Sequence, residues 1–427
     1  MTIPASALMR SAVFAGLVNQ AVVSLGNFGL NLLLARALMA RDYGAFSVFL
    51  SVFLFLNAIH QSLVTYPLSV RGAAAGRGEF RHLIGAALAL TIVLQCVFVP
   101  AIAGAAASIR QWQVVPAALL ALVLWQFQEV YRRALIARGF YGPATLGDGV
   151  RYLGAFFLVL ALIAAGGLSL ERVILTIAAA SALAAASTMA IAPHWLVPTR
   201  PRFKAELKTH WRMGSAYLVA TLLAMFSSQW FLWLLAWQHG LAATAALQAL
   251  VNITAIAAPI MFGIENVMVP DIARRRDALR YPALIRLLRR RALIGAGLIT
   301  PFFAIAFAAP EWTIRFLYGT ATPYAGFGTS LRVLIAAYAA IFVSVLFAAT
   351  LRAYVAKEGV LMMQLYPAIL SISLGSWLVL EFGLIGACTA ALLAGLLRAV
   401  LGFYYVYKIR HLTRLHMDLP ALDDRLM

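Results

Sequence analysis

The chain has 427 residues, of which 63% are hydrophobic and only 11% charged, with a formal net charge of +19. A soluble core cannot absorb so much apolar side chain, so composition excludes an ordinary water-soluble enzyme and points to a bilayer. A strong positive charge also marks nucleic-acid binders, but here the basic residues are scattered over short loops with no soluble domain to present them, which argues against nucleic acid as a partner.

Apolar runs of 19 residues or more predict twelve spans, at 12–34, 45–66, 83–106, 112–131, 144–165, 173–192, 214–237, 243–269, 290–309, 330–352, 360–380 and 383–407. Each is long enough, at about 1.5 Å per residue, to cross a hydrocarbon core of about 30 Å. The first run is long for a cleaved signal and is expected to remain as a span. It sets Gln20, Ser24, Asn27 and Asn31 at spacings of four, three and four, on one helical face. A carboxamide in hydrocarbon needs a partner, so this stripe faces either a neighbouring helix or a wet cavity where it could donate to sugar hydroxyls. Asn57, His60 and Gln61 cluster on the second span, where His60 reads either as a proton carrier or as a packed, hydrogen-bonded histidine.

Glu129, near the end of the fourth span, has Arg132 and Arg133 at i+3 and i+4. Arg151 lies about two turns into the fifth span with Asp148 three residues before it, which suits either a local ion pair or a phosphate site. The seventh span carries Gln229 beside Trp230, Trp233 and Trp237, an aromatic face that reads as an interfacial belt or as a stacking surface for sugar. Thr244, Gln248 and Asn252 repeat the polar stripe on the eighth. The run from Arg274 to Arg291 interleaves Leu279, Tyr281, Leu284, Ile285, Leu287 and Leu288, which suits either a stop-transfer anchor or a helix lying on the membrane surface, with anionic lipids as partners. Arg332 and Arg352 bracket the tenth span and are expected to snorkel to its two interfaces. Arg398 falls near the middle of the twelfth, where an unpaired cation costs roughly 3 kcal/mol and so implies a use or a partner. Cys96 and Cys388 sit in apolar spans with no C-x-x-C framework, so neither a disulfide nor a metal is indicated, and no cofactor is expected.

With the amino terminus placed in the cytoplasm, 26 of the 34 basic residues fall in inner segments, so the positive-inside rule puts both termini there. The chain also repeats itself. Pro67 and Arg71 after the second span return as Pro270 and Arg274 after the eighth, and Arg133, Arg138 and Gly139 after the fourth return as Arg352, Lys357 and Gly359 after the tenth. This predicts an all-α polytopic membrane protein with two parallel six-helix repeats, a common ground plan of transporters. The expected boundaries are an N-terminal lobe over 1–192, a cytoplasmic linker over 193–213, interrupted by Pro193, Pro198 and Pro201, a C-terminal lobe over 214–410 and a cytoplasmic tail over 411–427.

The opening stretch from Gly26 to Arg36, followed by Arg41-Asp-Tyr-Gly44, the segment Arg133 to Gly139 and the outer Phe316-Leu-Tyr-Gly319 together resemble the polysaccharide-export branch of the multidrug, oligosaccharidyl-lipid and polysaccharide flippase superfamily. The resemblance covers essentially the whole chain. It implies a V-shaped two-lobed bundle, a cavity lined chiefly by spans one, two, seven and eight, and a lipid-diphosphate-linked oligosaccharide as cargo in a bacterial inner membrane, with other polysaccharide-assembly proteins as further partners. On that reading Gln20, Asn27, Asn31, Asn57, His60, Gln229, Gln248 and Asn252 would meet the sugar and Arg151 and Arg398 the diphosphate.

A cation exporter would want a carboxylate deep in the membrane, and none lies mid-span in helices one or seven, which favours an anionic substrate. No G-x-x-x-x-G-K-[ST] loop is present, so the chain is not expected to hydrolyse ATP. The rival readings are an exporter of drugs or of another lipid and, from a different class, a membrane-embedded glycan polymerase or ligase. The latter is disfavoured by the shortness of the outer segments, the longest being roughly 310–328.

Overall fold

The computed structural model describes residues 5–191, 197–200, 203–275, 279 and 281–415. Among these the protein is all-α. The helices are α1 (Ala5–Ala37), α2 (Ala40–Ala74), α3 (Arg77–Ser108), α4 (Trp112–Ala137), α5 (Tyr141–Ala164), α6 (Leu170–Ile191), α7 (Phe203–Gln238), α8 (Gly240–Arg275), α9 (Tyr281–Ala308), the short α10 (Pro310–Tyr318) and α11 (Gly328–Ala353). The last apolar stretch, Lys357–Ile409, is 53 residues long, about twice what a bilayer needs. It is broken at Gly383, whose φ of 59° lies in a region open to glycine, leaving α12 (357–382) and α13 (384–415). Eleven apolar stretches, one of them double, thus make the twelve expected spans of a multi-pass membrane protein.

Prolines explain the irregular turns. Pro67 cannot donate to the carbonyl of Leu63, and its ring crowds that oxygen. The helix responds with a π turn over Gln61–Thr65. The freed Leu63 carbonyl is taken by His210 Nδ1 of α7 at 2.9 Å. Pro367 frees the Met363 carbonyl in α12 in the same way, and a π turn, Ser371–Gly375, follows within one turn.

Packing divides the chain into two compact units: residues 1–256 with 314–325, and residues 257–313 with 326–427. In the first unit a buried apolar cluster including Val64, Leu68, Phe80, Leu83, Val130 and Leu135 joins α2, α3 and α4. Close approach relies on small residues. A Cβ at Gly26 of α1 would sit 2.6 Å from Tyr152 Cβ of α5, and one at Gly44 of α2 would strike the Leu241 carbonyl at the start of α8. In the second unit α11 packs along α13, with Gly402 against Phe347. The packing boundary falls in α8, at the 3₁₀ turn Ala255–Ala257, so α7 and the first part of α8 pack with α1–α6. The segment read as a linker is helical from Phe203 onward, because those residues already belong to α7.

The basic run from Arg274 to Arg291 does not form a separate surface helix. Arg275 ends α8, and Arg286 to Arg291 occupy the first turns of the continuous helix α9. Arg276 and Arg280 lie outside the described residues, as does the tail beyond Leu415.

Candidate functional site

A dense polar cluster of the first unit is built from α1, α4 and α5. Trp125, Gln128, Glu129 and Arg132 recur at i, i+3, i+4 and i+7 on α4, so one face presents all four. Asp148, Arg151 and Tyr152 share a face of α5, and Asn19 comes from α1. Asp148 is fully buried. Its Oδ2 accepts Arg132 Nε and Asn19 Nδ2, both at 2.6 Å, and its Oδ1 accepts Gln128 Nε2 at 3.3 Å. Glu129 accepts Arg133 Nε at 2.7 Å and Arg132 Nη1 at 3.2 Å. Burying such ions is costly, and this density of charge-assisted hydrogen bonds is what offsets the cost.

Arg151 is the exception. The local ion pair with Asp148 expected from their spacing is not formed, because Arg132 and Asn19 already hold that carboxylate. Its guanidinium instead lies over Trp125, 3.9 Å from the ring centroid, and over Tyr152 at 4.7 Å. Its Nη1 donates to Gln128 Oε1 at 3.2 Å. The residue is 4% exposed and has no carboxylate partner among the described residues. Three arginines against two carboxylates leave the cluster one positive charge in excess. Such a cluster can hold an anion on a rigid aromatic and amide frame.

A second buried seam runs beside it. His60 of α2 sits 2.8 Å from Thr91 Oγ1 of α3. Because that hydroxyl donates to the Ala87 carbonyl at 2.7 Å, Nε2 of His60 must be the donor, and Nδ1 is buried without a partner. Asn57 Oδ1 is likewise buried and unpaired. In α3 and α4, Gln95 Nε2 donates to Gln126 Oε1 at 2.7 Å.

The helix-one stripe largely serves itself. Gln20 Nε2 reaches Ser24 Oγ at 3.2 Å, and Asn31 Nδ2 reaches the Asn27 carbonyl at 3.0 Å. The Asn27 side chain is exposed, and Asn31 is buried. Gln229 contacts Ser228, and Gln248 is half-buried. The tryptophans of α7 split: Trp233 donates to Ser51 Oγ at 2.7 Å, while Trp237 is 72% exposed. Asn31 and Asn252 do come together, through a tyrosine cluster that sequence reading missed. Tyr43 OH reaches Asn31 Oδ1 and Asn252 Nδ2 reaches Tyr318 OH, both at 3.5 Å. The Tyr43 and Tyr324 rings are 6.4 Å apart, and those of Tyr318 and Tyr324 5.3 Å. Arg36 caps the carbonyls of Phe316 and Leu317 at the end of α10. The signal for this cluster lay in the short motifs, since Arg36, Tyr43 and Tyr318 all belong to them.

In the second unit Arg398 Nε donates to the Met363 carbonyl freed by Pro367, at 3.3 Å, and has no carboxylate partner among the described residues. Arg332 and Arg352 do more than snorkel. Arg332 caps the carbonyls of Phe307 and Ala308 at the end of α9, and Arg352 pairs with Glu265 at 2.8 Å.

No family model matches the chain, and no curated protein matches it. Solved structures do. The fold is similar to the inward-facing conformation of a multidrug resistance MATE family transporter of the MOP superfamily, with a TM-score of 0.79 and 14% identity over 92% of this chain and 96% of that one. It is also similar to the MATE multidrug transporter DinF-BH, with a TM-score of 0.69 and 16% identity over 95% of this chain and 96% of that one. An outward-facing MATE transporter of the MOP superfamily aligns with a TM-score of 0.65 and 13% identity, over 96% of each chain. The chain therefore has the fold of MATE transporters.

Proposed function

We propose that this protein is an exporter that carries a lipid-diphosphate-linked oligosaccharide from the inner to the outer leaflet of a bacterial plasma membrane, with both termini in the cytoplasm and two six-helix lobes. The transporter class is supported by the fold. The sign of the cargo is supported by one observation: the carboxylates buried within the first unit's spans are each paired with arginine, whereas Arg151 makes no ion pair among the described residues and is held by aromatic faces and an amide. Arg398 repeats the pattern in the second unit. Fixed positive charge left over inside the spans suits an anionic headgroup, and it penalises a cationic drug. The carrier lipid and the polysaccharide branch rest on the motif resemblance.

The test is flipping of a fluorescent undecaprenyl-diphosphate oligosaccharide in proteoliposomes. Arg151→Gln keeps both carboxylate pairs, so it should leave folding intact while lowering flipping by tenfold or more. Unchanged flipping in a folded variant would sink the diphosphate assignment. Export of a drug is the second reading, favoured by the multidrug transporters that share the fold. Efflux of a cationic dye by the wild type, with no flipping of the glycolipid, would select it.

A further inference from the structure

A cavity of about 400 Å³ opens at the end of the first unit where α2 and α8 begin and α3 ends. Its lining includes Arg41, Arg110 and His239 together with Gly240, Leu241 and Ala242. Neither arginine has a carboxylate partner among the described residues, and no acid lines the cavity. Asp42, next to Arg41 in the chain, belongs to the first turn of α2 and lies outside the lining. Gly240, Leu241 and Ala242 are the first three residues of α8, whose leading amides have no acceptor within the helix and carry the positive end of its dipole.

Both arginines are exposed at the cavity, and Arg110 has a φ of 55° just beyond the end of α3, a position that favours glycine. Trp112, two residues beyond Arg110, is 59% exposed, and Trp237, next to the lining residue Ala236, is 72% exposed. Exposed tryptophans at helix ends mark the headgroup level of a bilayer. The cavity thus lies at the depth where lipid phosphates lie.

We propose that this cavity binds a phosphate or diphosphate group, with Arg41 and Arg110 as its charged clamps and the α8 amino terminus as its base. The proposal stands whatever cargo the protein carries. A phosphate there could belong to a lipid headgroup or to a soluble compound, and the two sources share the same recognition: dispersed positive charge and amide donors around a compact polyanion.

The experiment uses the full-length protein in nanodiscs. One arm titrates pyrophosphate into phosphatidylcholine discs by calorimetry. The other counts phosphatidic acid retained by the protein in native mass spectra after mixed-lipid reconstitution. Wild type should bind at least one probe. The double variant Arg41→Gln, Arg110→Gln should bind it tenfold or more weakly, with Arg77→Gln, an exposed arginine at the start of α3, unchanged. Retention of phosphatidic acid alone would identify a lipid headgroup, and binding of pyrophosphate alone a soluble phosphate compound. If the double variant does not fold, Arg110→Gly removes the cation while relaxing the positive φ, and should show the same loss. Equal binding by wild type and Arg110→Gly or the double variant, or no binding of either probe by wild type, overturns the proposal.

Discussion

At the scale of the residue, two positions separate stability from function. Val355 has a φ of 56°, which a β-branched side chain tolerates poorly, and it is 58% exposed, so its removal loses little packing. Val355→Gly should stabilise the protein by roughly 1 kcal/mol, read as a higher unfolding midpoint in detergent. Asp148→Asn should do the reverse. It withdraws one partner of a buried pair from Arg132, a change that typically costs about 3 kcal/mol or more. A midpoint unchanged in that variant would mean that the pair of Asp148 with Arg132 does not stabilise the fold. Arg151 was legible in the sequence as a buried cation, but its partners were not. Spacing within a helix suggested Asp148, whereas the residues that hold it, Trp125 and Gln128, come from α4, and only tertiary packing decides between them.

Elements were more legible than contacts. Apolar length alone predicts the twelve spans to within a few residues at most ends, because a bilayer imposes one length scale on every helix. Sequence missed how the helices continue past the apolar run. α7 begins at Phe203, in a polar stretch, because Glu206 and His210 there are drawn into an ion cluster rather than into lipid. Glu206 sits 2.5 Å from Arg71, 3.5 Å from His82 and 3.8 Å from His210. Burial raises the Glu206 pKa, but Arg71, with His210 and His82, outweighs it and leaves the carboxyl below its ordinary value. Burial also lowers the His210 pKa, against the pull of the Leu63 carbonyl and Glu206. A histidine whose folded pKa is depressed adds stability above its unfolded value, near 6.5, and that stability is lost as pH falls below it. Glu206 works in the same direction at lower pH. The junction of α7 with α2 should therefore loosen on acidification, starting below about pH 6.5. His210→Gln should flatten the first part of that decline in a series of thermal scans. An unaltered pH profile would show that the imidazole does not titrate there.

At the scale of the whole molecule, the repeat made a two-lobed, twelve-span membrane fold legible, while a substrate was not, since a polar stripe looks the same whether it meets a sugar or a neighbouring helix. Asn31 and Asn252 show the ambiguity, because both are tied into the tyrosine cluster. If the cargo is a diphosphate of about two negative charges, an inside-negative potential drives it outward with about 2.3 kcal/mol per charge per 100 mV. Flipping in sealed vesicles should then accelerate when a potassium-diffusion potential is imposed without a proton or sodium gradient. A response to a pH step but not to the potential would replace this with proton antiport.

The bond between Arg398 and the Met363 carbonyl has a consequence for how the chain is made. α13 alone presents the translocon with a cation in the middle of an apolar segment, at a cost of roughly 3 kcal/mol. The acceptor that relieves it sits on α12, already synthesised and joined to α13 through Gly383 alone. α12, in turn, carries a carbonyl left bare by Pro367 that hydrocarbon would not tolerate. Each helix brings the group that the other lacks, so the pair should enter the membrane as a hairpin. Glycosylation mapping of α13 fused alone to a reporter should show poorer insertion than the α12–α13 pair, and Arg398→Leu should abolish the difference.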